Sequence, residues 1–321
     1  MGTPVYAVSE ELAGVLAERA QARDVPLRLV RVGPGGQLLD ETAGLEAIQP
    51  GGHITPTVLA ALIREHRSVR WVSATSAGVE PFLVPELGLR PVVMTRPRHV
   101  HDAPVAEFAM MLILAAAKRL PDLVRASDRD EWFRFQPPLV EGRTLVIVGY
   151  GEIGQALAAR ARPFCLRVIG VRRRPAADGI ADEVWASDRL DDALGRADFV
   201  ALTAPGGAEN RGLIGEHELA QLPSGAYLIN VGRGDLVDDV ALDGALRAER
   251  FAGAMLDTFS VEPLPAGSPL WTNPRVLITP HAAGVHAPAR DPRVLDQIVD
   301  NVRRFAAGEP LLNQVDLERG Y

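Results

Sequence analysis

The chain is poor in cysteine. Cys165 stands alone among 321 residues, so no disulfide forms within the chain. That fits a reducing compartment, and the cytoplasm is the expected location. Positive charge is not in excess: 34 Lys and Arg face 41 Asp and Glu, a formal net charge of −7. A mildly acidic chain without a long Lys/Arg run argues against nucleic acid or an anionic membrane as the main partner. The start, "MGTPVYAVSEELAG", lacks a basic stretch followed by an apolar one, so no secretory signal is expected. Long apolar runs are missing too. The most apolar, "FAMMLILAAA" at 108–117, is closed by Glu107 and Lys118. It is too short to span a bilayer and reads as a buried helix. No internal repeat or low-complexity segment stands out.

What is present is ordinary globular material, 47% hydrophobic and 23% charged. The length suggests two domains. In the first hundred residues "VYAVS", "PLRLVRV", "VRWVSA" and "RPVVMT" read as strands. "EELAGVLAERAQAR" and "TPTVLAALIREH" read as helices between them. Such alternation implies a parallel sheet with helices on its faces. Residues 33–52 are the least readable, because Gly and Pro interrupt the pattern. A long apolar helix near 104–120 leads to a second set of short apolar runs: "TLVIV", "RVIGV", "FVALT", "AYLIN", "GAMLD" and "RVLIT". This is a second doubly wound α/β domain. One more amphipathic helix, "DPRVLDQIVDNVRRFAAGEP", precedes a short tail.

"TLVIV" runs into Gly149, Tyr150, Gly151, Glu152, Ile153 and Gly154, and a helix follows. The first glycine permits a tight turn. The second lets backbone approach a pyrophosphate, and the third lets helix and strand pack closely. The helix N-terminus offers unpaired N–H groups to phosphates. A GxGxxG motif is weak alone; between a strand and a helix it predicts dinucleotide binding. The strand that follows usually ends in an acid that accepts from the ribose of NAD. Here that position, eighteen residues after Gly154, is Arg172, and Arg173 and Arg174 follow. Guanidinium groups bind phosphate oxygens. The expected cofactor is therefore NADP, with NAD possible. A solvated basic loop is the bland alternative.

Three later strands end beside groups fit for acid–base work. Arg233 follows "AYLIN" between two glycines, Asp257 and Glu262 follow "GAML", and His281 follows "RVLITP". A hydride transfer to a 2-oxo acid needs a cation for the carboxylate and a proton donor for the carbonyl oxygen. A histidine beside a carboxylate holds a proton near neutral pH. Singly, these residues read equally well as a surface charge, a solvated acid and a helix cap. Together, at neighbouring strand ends, they read as a catalytic set: Arg233, Glu262 and His281.

The segments "SATSAGVEPF", "APVAEFAMMLILAAAKR", "VGYGEIG", "INVGRGDLVDD", "LDTFSVEPLPAGSPLW" and "LITPHAAG" resemble the D-isomer-specific 2-hydroxyacid dehydrogenase family. That family includes glyoxylate/hydroxypyruvate reductases, D-lactate, phosphoglycerate and formate dehydrogenases. The resemblance covers nearly the whole chain. It implies a Rossmann cofactor domain (103–286) inserted into a discontinuous flavodoxin-like substrate domain (1–102 and 287–321). It implies that Arg233 binds substrate, His281 is the general acid/base and Glu262 holds it. Asp257 would meet the nicotinamide carboxamide, with Val231 and Gly232 beside the cofactor. Backbone amides around Ala77 and Gly78 would bind the carboxylate. It also implies a homodimer through the cofactor domain and its helix near 105–119.

Arg172 departs from the NAD-type acid, and His286 stands where many members carry Thr or Ser. The resulting expectation is an NADP-preferring 2-oxoacid reductase of glyoxylate/hydroxypyruvate type. The rivals are a same-fold dehydrogenase for another small anion and a nucleotide-sensing binding protein. No metal is expected: His99 and His101 lie two apart, without a third ligand. His53, His66 and His217 read as surface or capping residues. Trp132, Phe133 and Phe135 read as packing for a domain crossing or subunit contact, and Trp271 as packing under the Glu262 loop.

Overall fold

The structure is a computed structural model that describes residues 2–76, 78–284 and 288–317. The chain divides into two compact units, residues 1–100 with 285–321, and residues 101–284. In the first unit β1 (Val5–Ser9), α1 (Glu10–Ala22), β2 (Arg28–Val32), β3 (Leu45–Ile48), α2 (Pro56–Glu65), β4 (Trp71–Ser73) and β5 (Val93–Thr95) follow one another. The strands form one parallel sheet in the order β2-β1-β3-β4-β5. Side chains alternate across it. Val5 and Ala7 join a core with Leu59, Leu62 and Ile63 of α2. Tyr6 and Val8 join another with Leu12 and Leu16 of α1. Both faces are covered, so the strands read as continuous apolar runs rather than alternating ones.

The second unit begins with α3 (Asp102–Ala117) and α4 (Leu120–Ser127). It continues with β6 (Thr144–Val148), α5 (Glu152–Ala161), β7 (Arg167–Arg172), β8 (Glu183–Ala186) and α6 (Leu190–Leu194). Then come β9 (Phe199–Leu202), α7 (Glu216–Gln221), β10 (Tyr227–Asn230), α8 (Asp239–Arg247), β11 (Gly253–Leu256) and β12 (Val276–Ile278). Seven parallel strands lie in the order β12-β11-β10-β9-β6-β7-β8. The order reverses at β6 and β9, and ligands bind beyond the strand ends at such a switch. Leu145 and Ile147 face α3 and α5, while Val146 and Val148 face the α6–α8 side. The apolar 108–117 run falls inside α3, which is buried over most of its length.

The last helix, α9 (Pro292–Ala307), packs into the first unit. Its Asp296 takes two hydrogen bonds from Arg19, at 2.8 and 2.6 Å, and Phe305 lies 5.6 Å from the Trp71 ring. Asp291 caps its N-terminus, and Gly308, at φ 70°, ends it in the left-handed conformation that glycine adopts without strain. Both sheets are doubly wound, as the alternating pattern predicts. Two strands, β3 and β8, have no counterpart in the sequence reading. Among the described residues, no helix is long and apolar enough to cross a membrane.

Candidate active site and cofactor turn

The glycine turn sits at the end of β6, beside the switch point. Gly149 has φ 88°, and a Cβ there would lie 2.3 Å from the backbone of Ala204 at the end of β9. Only glycine allows that approach. The Gly149 and Tyr150 N–H groups both donate to Val171 of β7 at 3.0 Å, and Thr203 Oγ1 donates to Gly149 O. The turn is thus tied to both neighbouring strands. Gly151 differs: a Cβ there meets nothing closer than 3.8 Å. The space above it is open, as a cradle for a bulky phosphate requires. Gly154 is buried, with Ile147 at 3.1 Å from its would-be Cβ, so it sets the closeness of α5 to the sheet. Glu152 and Ile153 open α5.

Tyr150 folds inward. Its ring would lie 2.4 Å from a Cβ on Gly170, which explains the glycine in the middle of β7. Burial pushes its phenol well above the ordinary range, and nearby Asp178 adds to the shift. Asp178 sits below its usual carboxylate range: burial opposes this, but donors from Ile180, Ala181 and Gln155 outweigh it. The loop after β7 is thereby pinned to α5. Arg172 is the last residue of β7 and half-buried, while Arg173 and Arg174 are exposed. Arg173 pairs with Glu209 at 2.6 Å. Among the described residues, Arg172 and Arg174 make no ion pair. These residues fit a dinucleotide, with an open glycine cradle at one end and guanidinium groups at the other.

The strands β10, β11 and β12 are neighbours in that order, and their C-terminal ends carry the second cluster. Asn230, 1% exposed, clamps the Arg233 loop. Its Oδ1 accepts from Gly232 N at 3.1 Å and its Nδ2 donates to Arg233 O at 2.9 Å. The guanidinium of Arg233 donates to Gly232 O at 2.9 Å. Next to it, a Cβ on Gly234 would fall 1.8 Å from the Phe259 carbonyl carbon. The Arg233 loop therefore lies backbone to backbone against the loop that carries Glu262. Phe259 N donates to Glu262 Oε1 at 2.9 Å, and His281 Nδ1 meets Glu262 Oε2 at 2.7 Å. A carboxylate only accepts, so Nδ1 carries the proton and Nε2 is left to exchange one with a substrate. The His281 side chain is 48% exposed, open to a ligand.

Asp257 lies beneath this cluster, at the end of β11. It is fully buried, and its carboxylate accepts from Thr279 Oγ1 (2.6 Å), Ala282 N (2.9 Å) and Ala283 N (3.0 Å). His281 N donates to Asp257 O at 2.8 Å. In this arrangement Asp257 holds the His281 loop. The anchoring has a local reason: His281 has φ 50°, a conformation costly for a residue with a Cβ, so its loop must be held. Val231 and Gly232 are buried at the β10 end. Gly78 lies in the first unit, where its carbonyl accepts from Ser76 Oγ at 2.6 Å. Ala77 and His286 lie outside the described residues. Asn230, Gly234 and the anchoring role of Asp257 escaped sequence reading. Only the placement of Asn230 at a strand end before Gly-Arg-Gly offered a signal.

His53 and His217 sit partly or fully at the surface. His53 Nδ1 faces Val32 O at 3.1 Å, and His217 Nε2 meets Asp191 at 2.8 Å. Phe133 and Phe135 stack at 5.3 Å, with Arg119 over both rings, while Trp132 is 85% exposed. Trp271 is half exposed and donates to Pro265 O at 3.0 Å.

The chain is similar to known proteins along most of its length. The family model described as D-isomer specific 2-hydroxyacid dehydrogenase, NAD binding domain, matches residues 110–283. A glyoxylate reductase of Korarchaeum cryptofilum is 32% identical over 83% of this chain and 81% of its own. Glyoxylate/hydroxypyruvate reductase B of Klebsiella pneumoniae is 36% identical over 69% of this chain and 71% of its own. A D-isomer specific 2-hydroxyacid dehydrogenase from Xanthobacter autotrophicus Py2, solved with NADPH and MES, covers 100% of both chains at 30% identity with a TM-score of 0.86.

Proposed function

The chain belongs to the D-isomer-specific 2-hydroxyacid dehydrogenase family, and from that premise we propose that it is an NADPH-preferring reductase of a small 2-oxo acid, glyoxylate or hydroxypyruvate. The observation that carries the chemistry is the 2.7 Å contact of His281 Nδ1 with Glu262. It fixes the imidazole with Nε2 turned outward, and Nε2 gives its proton to the carbonyl oxygen as the keto carbon is reduced. The cofactor, when bound, supplies the hydride. Arg233 holds the substrate carboxylate and polarises the keto oxygen. Glu262 stabilises the imidazolium before transfer and keeps the ring oriented after it.

For the cofactor, the supporting observation is Arg172 at the end of β7, where an acid would repel a 2′-phosphate. The similar Xanthobacter protein was solved with NADPH, which favours the same reading. The α3–α5 face supports a homodimer. Met110, Met111, Leu114 and Phe164 line an apolar depression there, edged by Glu107 and Arg160. Exposed Trp132 belongs to the same unit. Light scattering at micromolar concentration checks the mass.

The test of the reductase is initial rate on glyoxylate and hydroxypyruvate, NADPH beside NADH, for the wild type and Arg172→Gln. The expected result is a preference for NADPH that Arg172→Gln lowers by about tenfold, the scale of one charge-assisted phosphate contact. A wild-type preference for NADH contradicts the cofactor assignment. No turnover with either cofactor contradicts the reductase and favours a nucleotide-sensing role.

A further inference from the structure

The three arginines are not equivalent. Arg172 ends β7 in register with Ala186 of β8, half-buried. Arg173 and Arg174 follow in the exposed loop, and of the three only Arg173 forms an ion pair among the described residues. Its partner, Glu209, comes from a different part of the fold. It lies in the loop after β9, where Asn210 Nδ2 donates to Pro205 O at 3.0 Å and Asn210 N donates to Gly207 O at 3.1 Å. In the sheet, β6 lies between β7 and β9. The pair thus joins the two loops that flank the glycine turn, at the edge where a dinucleotide binds.

Resting on the NADP reading above, we infer that Glu209 sets the strength of NADP selection by competing with the 2′-phosphate for Arg173. The competition follows from charge. A carboxylate offers Arg173 one negative charge; a phosphomonoester offers about 1.5 to 2 and three acceptor oxygens. The ion pair is exposed on both sides, 53% for Arg173 and 62% for Glu209, so it is weak and exchanges partners readily. Phosphate wins the exchange but loses part of its gain to the contact it displaces. The displaced carboxylate stays in the loop, and like charge repels. A cofactor without the 2′-phosphate triggers no exchange, so the Arg173–Glu209 pair is the same before and after it binds. Glu209 therefore acts on the difference between the two cofactors, not on dinucleotide binding as such. This makes it a specificity-determining residue that, among the described residues, makes no hydrogen bond or ion pair with the glycine turn or with Arg233, Glu262 and His281.

Calorimetric titration of the intact protein with NADP+ and NAD+ tests this without turnover. The set is the wild type, Glu209→Gln, Arg173→Gln and the double variant. Glu209→Gln is expected to tighten NADP+ about three- to tenfold, the scale of one exposed charge, and to leave NAD+ within about twofold. The gain should vanish when Arg173→Gln is added, and should shrink in high salt. Unchanged NADP+ affinity, equal tightening of both cofactors, or a gain that survives in the double variant overturns the inference. The two readings fail separately. A wild type that prefers NAD+, with Glu209→Gln still tightening NADP+ alone, contradicts the cofactor preference and leaves the competition standing. A wild type that prefers NADP+, with Glu209→Gln inert, does the reverse.

Discussion

In the seven-stranded unit, the loops after β11 and β12 bring Glu262 Oε2 and His281 Nδ1 to 2.7 Å, and Arg233 lies in the loop after β10. In the five-stranded unit, the strand ends turn polar groups back on their own backbone. Ser9 Oγ, at the end of β1, accepts from His53 N at 3.2 Å. His53 Nδ1 faces Val32 O, and Ser76 Oγ donates to Gly78 O. These contacts shape loops. The same parallel architecture thus serves two tasks. One sheet end carries a hydrogen-bonded carboxylate–imidazole pair, and the other presents small groups and backbone. The difference is in the loops, as expected where function is grafted onto a common fold.

That contrast can be broken most severely at His281. His281→Ala should lower kcat by about a thousandfold or more, with NADPH affinity and thermal stability near wild type. Arg233→Ala should lose most activity in the same way, through kcat/KM for the 2-oxo acid, while NADPH binding stays nearly intact. Steady-state rates with a parallel cofactor titration check both. Gly234→Ala attacks the packing instead. Its Cβ has no room against Phe259, so the Arg233 and Glu262 loops must separate. The expected outcome is a loss of ~3 kcal/mol or more together with most activity, read by denaturant melts and rates.

In the other unit the comparison predicts stability without chemistry. Trp71 is fully buried, donates to Thr95 Oγ1 at 2.9 Å and lies 5.4 Å from the Tyr6 ring. Trp71→Phe keeps most of the packing but leaves the Thr95 hydroxyl without this partner. It should cost ~1–3 kcal/mol in a urea melt, with cofactor affinity unchanged. The smallest effect belongs to His217, in the seven-stranded unit. Its hydrogen bond with Asp191, helped by the Asp191 charge, raises its pKa above the usual 6.5. A raised folded pKa means the contribution is full below the unfolded value and fades as pH rises through the folded one. Asp191→Asn should lower the His217 midpoint in an NMR titration and leave activity alone.

How much was legible follows the same division. In the second unit, Arg233, Glu262 and His281 each follow an apolar run of strand length within a few residues, so the three could be placed on one sheet edge. The glycine turn was legible because strand and helix signals bracket it. Strand β3 was not, since "LEAI" is four residues between Gly44 and Pro50 with no room for a pattern. Strand β8 was missed because "EVWA" is a short edge strand that opens on a charge. The inward turn of Asp257 was invisible for another reason. Its partners at Thr279, Ala282 and Ala283 lie more than twenty residues away, and nothing local to "MLDTF" reports them.

The most direct measurement is a single turnover of glyoxylate on enzyme preloaded with NADPH, wild type beside His281→Asn, following the absorbance of the reduced nicotinamide. The account predicts rapid oxidation in the wild type. In the variant it predicts equal NADPH binding with oxidation slower by about a hundredfold or more. Equal rates in the two proteins would contradict the placing of proton transfer on His281, and with it the division of labour between the two units.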